Sequence, residues 1–470
     1  MAFDWSDVQG LIIRGNNFPR SWHIFFSFPS KAAGRSFLTW IRPRLSTATA
    51  MGSQPEPLIY LGLTYGGLRT IGAESLLQRF NPALTMSEDP LANPFPSEFI
   101  HGPERGPELA ALGDFAAEDA PSTWWNQRFR SDDVHASLHI YARTDEVFDQ
   151  VLRDVRSKAE QFGVIERNAN GAEAPPLQGR ALADFRQVHF GYQDGIAQPD
   201  VDWEQETAVP PRVDRRHFLL GYSGPIPSAP RFSRTGDLFR NSCYLAFRWM
   251  SQDVPAFEGF LTQSVPKVAA ALPAAPDPRE LLAAKLMGRW RSGAPLVLAP
   301  LRDDPSLGKR DDFGFRTGDA GGTACPFSSH IRASNPRDQP LAEIVNPEVP
   351  RLIRRGMTYG APWRPGENDG EDRGLFGMFL CASLERQFQQ IMRWMNRHDF
   401  SDVFAGHSPI RQDPLFGARG TSPARPPFRI AISSDQFLDL PLPDKAFIRS
   451  RGTVYLLLPG LATLDRLLAN

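Results

Sequence analysis

Hydrophobic and polar residues alternate most clearly over residues 134–142 (VHASLHIYA). Val134, Ala136, Leu138 and Ile140 fall on one side of an extended segment, and His135, Ser137, His139 and Tyr141 on the other. The period then changes to a helical one. Val147, Val151, Val155 and Ala159, with Phe148 and Leu152, make a single stripe, preceded by Thr144 as N-cap and followed by Gly163. Asp145 and Glu146 stand in the first turn, where the helix dipole favours acids. Apolar runs predict further strands over 22–28, 57–65, 243–249, 374–382 and 453–458. Helices are predicted over 31–41, 69–80, 256–264, around 280–290 and over 461–468, with another marked by Leu384, Phe388, Ile391 and Met395. Residues 81–130, and most of 265–325, read as irregular. Strands and helices in mixed order, with strands that alternate, predict an α+β fold with mainly antiparallel sheets.

The chain has 470 residues, too many for one ordinary core. We divide it into two units, 1–205 and 206–470, at the polar, proline-broken stretch VDWEQETAVPPRVDRR. A net charge of −1 gives no global field toward nucleic acid or an anionic membrane. Cys243, Cys325 and Cys381 are odd in number and widely spaced, which is neither a disulfide framework nor a zinc pattern and suits a reducing compartment. No run approaches the roughly 20 apolar residues of a membrane helix, and the first residues carry acids where a signal peptide needs positive charge. The expectation is a cytoplasmic protein without membrane or nucleic-acid partners.

Two segments carry candidate chemistry. HFGYQDGIAQP at 189–199 places Asp194 before a glycine in aromatic and apolar company, where a carboxyl would hold a proton near neutral pH. CPFSSHIRASNPR at 325–337 offers His330, an imidazole able to ligate a metal, with Arg351, Arg354 and Arg355 coming after it in RLIRRGMTYG. Each has a plainer reading: a turn aspartate, a satisfied histidine, solvated arginines. His135 and His139 form HxxxH, but a strand is not the helical setting that zinc pairs use. Phosphate-binding and dinucleotide glycine motifs are missing from the sequence, as is CxxC.

Taken together, these residues resemble the dye-decolorising peroxidases. DVQGLIIRGNNF, FPSEFIHG at 95–102, DVHASLHIYA, HFGYQDGIAQP, LLAAKLMGRWRSGAPLVLAP, CPFSSHIRASNPRD, RRGMTYG and RGLFGMFLCASLERQF all look like family segments, spread through nearly the whole chain. The resemblance implies two ferredoxin-like units, with a haem b pocket in the C-terminal one. It makes Asp194 the distal acid of GxxDG, His330 the proximal iron ligand and Arg354, two positions before GxxYG, the distal arginine. His189 and Arg337 match positions near the haem propionates, and Asp413 resembles an acid that accepts the imidazole's other N–H, with Glu385 as its alternative. The chain departs from the pattern at Thr358, where proline is common. It departs again at Gly377, where a bulky distal residue is common; Leu375 stands two before it, and Phe376 or Phe379 is a candidate to fill the space.

The resemblance thus implies a haem peroxidase that reduces hydrogen peroxide and oxidises an organic, dye-like electron donor through a ferryl intermediate. A haem-handling protein with incidental activity, or a scaffold that has lost haem, would have little need of Asp194, Arg354 and His330 together. The ten tryptophans and eight tyrosines leave the route of electrons from a bulky donor open, and the sequence leaves room for a homo-oligomer.

Overall fold

The computed structural model describes all residues except 1–2, 50–55, 88, 90–91, 117, 183–186, 206–207, 209–210, 223–235, 339–348, 368, 398–411, 418–424 and 470. Its strands are β1 (Arg20–Ser27), β2 (Leu58–Leu63), β3 (Ala136–Ala142), β4 (Ile165–Arg167), β5 (Leu177–Arg180), β6 (Val201–Asp202) and β7 (Val213–Asp214) in the first part of the chain. They continue with β8 (Cys243–Gln252), β9 (Ile353–Arg354), β10 (Met357–Tyr359), β11 (Gly374–Cys381), β12 (Phe428–Ala431), β13 (Phe437–Leu440) and β14 (Ile448–Leu458). Ten of them build one sheet in the order β10-β11-β8-β14-β2-β3-β1-β4, with β5 beside β1 and β9 beside β11. Its ladders are antiparallel, as the alternation predicted; among the described residues only the two-residue pair β6–β7 is parallel.

The strands of the first half lie on one side of this sheet and those of the second half on the other, meeting where β14 pairs with β2 at Leu457 and Leu63. We propose that seam as the boundary between the two units. The polar stretch at 200–216 lies partly outside the described residues.

Both faces of the central strands are covered. β3 and β8 are buried at every residue, so Ser137, His139 and Tyr141 on the polar side do not meet solvent and only His135 before the strand is half-buried. His139 instead faces its register partner His23 on β1, Nδ1 to Nδ1 at 2.9 Å. The helix over Asp145–Phe162 has the expected caps: Thr144 accepts from the Val147 N–H, and Gly163 closes the end at φ +70°. The helices Lys31–Ile41 and Leu461–Leu468 stand at their predicted bounds.

Three expectations change. The helix expected at 69–80 is two, Tyr65–Thr70 and Ala73–Phe80, because Gly72 takes a left-handed φ of +84° between them. The stretch 81–130 contains short helices, Ser97–His101 and Gly106–Leu112. The helix expected over 256–264 runs from Val254 to Ala271, through Pro266. Among the described residues no helix is long and apolar enough to cross a membrane.

Candidate functional site

A cavity of about 290 Å³ lies where the C-terminal half of the sheet meets the helices that come after it in the chain. Two kinds of wall enclose it. On the sheet, Leu375 pairs with Met250, Gly377 with Arg248 and Phe379 with both Ala246 and Arg354. Directly paired residues share a face and alternate residues return to it, so Met250, Arg248, Leu375, Gly377, Phe379 and Arg354 all line the cavity. The other wall is helical. Leu384–Gln389 forms a π turn before the helix Gln390–Arg397, and this aims Phe388, Ile391, Met392 and Met395 inward. Gln387 anchors the turn: its amide donates to the carbonyls of His217 and Arg351 and accepts from the N–H groups of Ala382 and Ser383.

His330 opens the short helix His330–Ser334 and lines the cavity. Its Nδ1 lies 2.6 Å from Oδ2 of Asp413, whose side chain is fully buried. The other oxygen of Asp413 accepts from the N–H groups of Leu415 and Phe416 at 2.8 and 3.1 Å. A carboxylate held this way fixes the imidazole tautomer and leaves Nε2 as the nitrogen available to a metal. Asp413 therefore stands within hydrogen-bond reach, while Glu385 is exposed and its N–H donates to Glu98.

The loop before His330 is held by charge. Asp319 accepts from the N–H groups of Ala324 and Cys325, and Arg332 donates to Asp319 and to the Cys325 carbonyl. The Arg332 guanidinium lies 4.5 Å from the ring centre of Phe315 and 4.1 Å from that of Phe327. Lys285, pushed down to about 8 by burial, donates to the carbonyls of Thr323 and Ala324. Sequence reasoning singled out none of Asp319, Lys285 or Gln387, because a buried polar clamp has no periodic signature.

Arg354 and the Asp194 segment are tied together. The Gln198 amide exchanges hydrogen bonds with the main chain of Arg354, at 3.0 and 3.1 Å, and the Arg354 guanidinium donates to the Ile196 carbonyl at 2.6 Å. Arg355 points the other way, donating to the Leu11 carbonyl in the first half of the chain. It is absent from the cavity lining, so strand alternation separates the two arginines. Asp194 lines the cavity but is exposed, contrary to the apolar burial expected of it. The cause is local. Gly191, Gly195 and Ala197 all take positive φ, and the resulting turn brings Oδ1 of Asp194 to the Gly195 N–H at 2.7 Å.

The remaining candidates divide. Arg337, at a left-handed φ of +57°, lines the cavity and donates to the Asp311 carboxylate and carbonyl. Arg289 shares Asp311, and burial pushes its guanidinium down to about 10. Arg351, depressed by burial, joins them at the lining. His189 does not line the cavity: its Nε2 meets the Tyr359 carbonyl at 2.8 Å, and burial lowers its pKa. Phe379 lines the cavity beside Gly377, whereas Phe376 stacks on Tyr359 in the core. A Cβ added at Gly377 would come within 2.7 Å of the Phe379 ring and 2.8 Å of the Met250 methyl, so these two side chains fill the space of the bulky residue.

Comparison with known proteins bears on the whole arrangement. The chain is 28% identical to a dye-decolorizing peroxidase of Mycena epipterygia, over 100% of this chain and 88% of that one. It is 26% identical to the multifunctional dye peroxidase DyP2 of Amycolatopsis, covering 98% and 95%. The solved structure of an ancestral D-type dye-decolorizing peroxidase superposes with a TM-score of 0.78 at 26% identity, covering 99% of each chain. The chain is similar over its whole length to dye-decolorising peroxidases. The peroxidase of Auricularia auricula-judae, 22% identical with a TM-score of 0.77 over 100% of both chains, shares the fold. No family model matches the chain. The α+β architecture built from the sequence pattern is the one these structures share.

Proposed function

We propose that the chain is a haem-dependent peroxidase that reduces hydrogen peroxide and oxidises bulky aromatic or dye-like donors. One observation carries the reading: a single cavity gathers His330, its Nδ1 held by a buried carboxylate, with Asp194 and with an Arg354 bound to the Asp194 segment. The residues fit haem b. His330 presents a neutral-type donor, the lining is mainly aliphatic, aromatic and thioether, and Arg289, Arg337 and Arg351 share the single carboxylate Asp311. That leaves net positive charge for the two propionates. His330 would hold the iron through Nε2, and Leu375 and Phe379 would border the ring. Bound there, haem iron supplies the centre that activates peroxide and stores its oxidising equivalents.

The protein's own groups do the rest. The Asp194 carboxylate accepts a proton from hydrogen peroxide and returns it to the departing oxygen, so that oxygen leaves as water. The Arg354 guanidinium stabilises negative charge as the O–O bond breaks. The Asp413 carboxylate makes His330 a stronger donor. A carrier of haem would need only His330, and the tie between Arg354 and the Asp194 segment favours catalysis. Three unbridged, buried cysteines support a reducing, cytoplasmic setting.

The test is optical. Purified protein loaded with hemin should show a Soret band of histidine-ligated haem, respond to added peroxide and bleach an anthraquinone dye. A loaded protein whose band ignores peroxide would refute the peroxidase reading.

A further inference from the structure

The cavity wall is rich in thioethers: Met250, Met287, Met378, Met392 and Met395 line it, out of 9 methionines in the chain. Their settings differ. Met378 lies on the far face of β11, and its sulfur accepts from the Tyr141 hydroxyl at 3.2 Å. Met287, Met392 and Met395 belong to the helices packed around the one that carries His330, and the Met392 sulfur lies 4.0 Å from the Arg248 guanidinium. Met250 alone shares the sheet face of Arg354, two strands away through Leu375 and Phe379. Its methyl group sits in the slot left by the missing side chain of Gly377, against the Phe379 ring. Among the described residues no donor engages its sulfur.

We propose that Met250 is an oxidation site built into the cavity wall, modified by hydrogen peroxide when no electron donor is present. The proposal rests on the reading that the cavity receives peroxide. A sulfur lone pair attacks one peroxide oxygen, the O–O bond breaks, and an S–O bond forms. Sulfur loses two electrons, and the second oxygen leaves as water with both peroxide hydrogens. The product, methionine sulfoxide, replaces an apolar thioether by a larger, polar group on the sheet face that Met250 shares with Leu375, Gly377, Phe379 and Arg354. The packing of that wall beside Arg354 is disturbed, and turnover falls. Methionine sulfoxide reductases reverse such a change.

The experiment treats haem-loaded protein with a few equivalents of hydrogen peroxide and no donor, reading absorbance and peptide masses together. The peptide holding Met250 should gain about 16 Da, one oxygen, before those holding Met86, buried in the first half, and Met357, outside the cavity lining. Met250→Leu, which conserves volume, should lose activity several-fold more slowly during donor-free exposure. An absorbance response to peroxide with Met250 unmodified while Met357 gains oxygen overturns the proposal and leaves the peroxidase reading standing. Inactivation of Met250→Leu at the parent rate overturns it as well. An absorbance that ignores peroxide counts against the peroxidase reading, and Met250 oxidation in that protein would still support the modification.

Discussion

Two histidine pairs in this protein use the same atom, Nδ1, and reach opposite ends. His23 and His139 meet across β1 and β3 at 2.9 Å, and their Nε2 atoms are met by Ser21 and Ser137 at 3.3 and 3.1 Å. All four side chains are buried, and every ring nitrogen has a partner. His330 meets Asp413 at 2.6 Å, but its Nε2 is left to a cavity. Burial lowers the pKa of both core histidines, and that of His139 to about 3, so the pair stays neutral and one ring donates to the other. Burial alone therefore does not make a histidine a ligand. What suits His330 to the ligand role proposed for it is one nitrogen fixed by a carboxylate and the other left to a cavity.

The comparison breaks first at the metal. His330→Ala should abolish the histidine-ligated Soret band in hemin-loaded protein, whereas His139→Ala should keep it; haem content per mole of protein decides. On the same cavity, Asp194→Asn should retain haem and lower kcat/KM for peroxide by about 10²–10⁴-fold, the usual cost of losing a proton-transfer group. Wild-type kinetics in that variant would remove Asp194 from the reaction.

Asp413→Asn asks whether the carboxylate matters beyond holding the ring. Haem should stay bound, the Fe(III)/Fe(II) potential should rise, and activity should fall about 10–100-fold, as for other partners of metal-ligating histidines. The core pair responds in stability instead. His139→Leu leaves the Nδ1 of His23 unsatisfied and should cost about 1–3 kcal/mol in denaturant unfolding. Replacing both rings with leucine should cost less than the two single changes summed, since neither Nδ1 is then left facing a lost partner and only the Ser21 and Ser137 hydroxyls lose theirs.

The smallest effect is in pH. His139 has a folded pKa of about 3, below its unfolded value of 6.5, through burial. Between those values the unfolded chain binds more protons, so stability rises with pH across that window and is lost as pH falls through it. Asp119 has the opposite sign: burial raises it to about 7, so stability falls as pH rises from 3.8 toward 7. Asp119→Asn should therefore steepen the net rise of stability with pH between 4 and 7, measured as unfolding midpoints.

Much of this protein could be read without coordinates, and the reason is local physics. The 145–162 helix announces itself through Thr144, its first-turn acids and Gly163, and strands 22–28 and 374–382 through apolar runs, because caps and periodicity act over a few residues. The resemblance singled out Asp194, His330 and Arg354, and the structure brings these three to the lining of one cavity. His139 of the HxxxH lies on a strand, as the alternation predicted, though nothing in the sequence pointed to His23 as its partner.

The rest needed the tertiary structure, because it depends on groups far apart in the chain. Asp413 reaches His330 across 83 positions, and Gln198 meets Arg354 across 156; no local pattern encodes either approach. Exposure of Asp194 comes from a turn of three positive-φ residues, which reverses the apolar setting its neighbours suggested. Gly377 shows the division most clearly. The sequence by itself determined that a bulky side chain is missing there, but only packing against β8 decided that Met250 and Phe379 occupy its place, since filling a volume is a property of the walls around it.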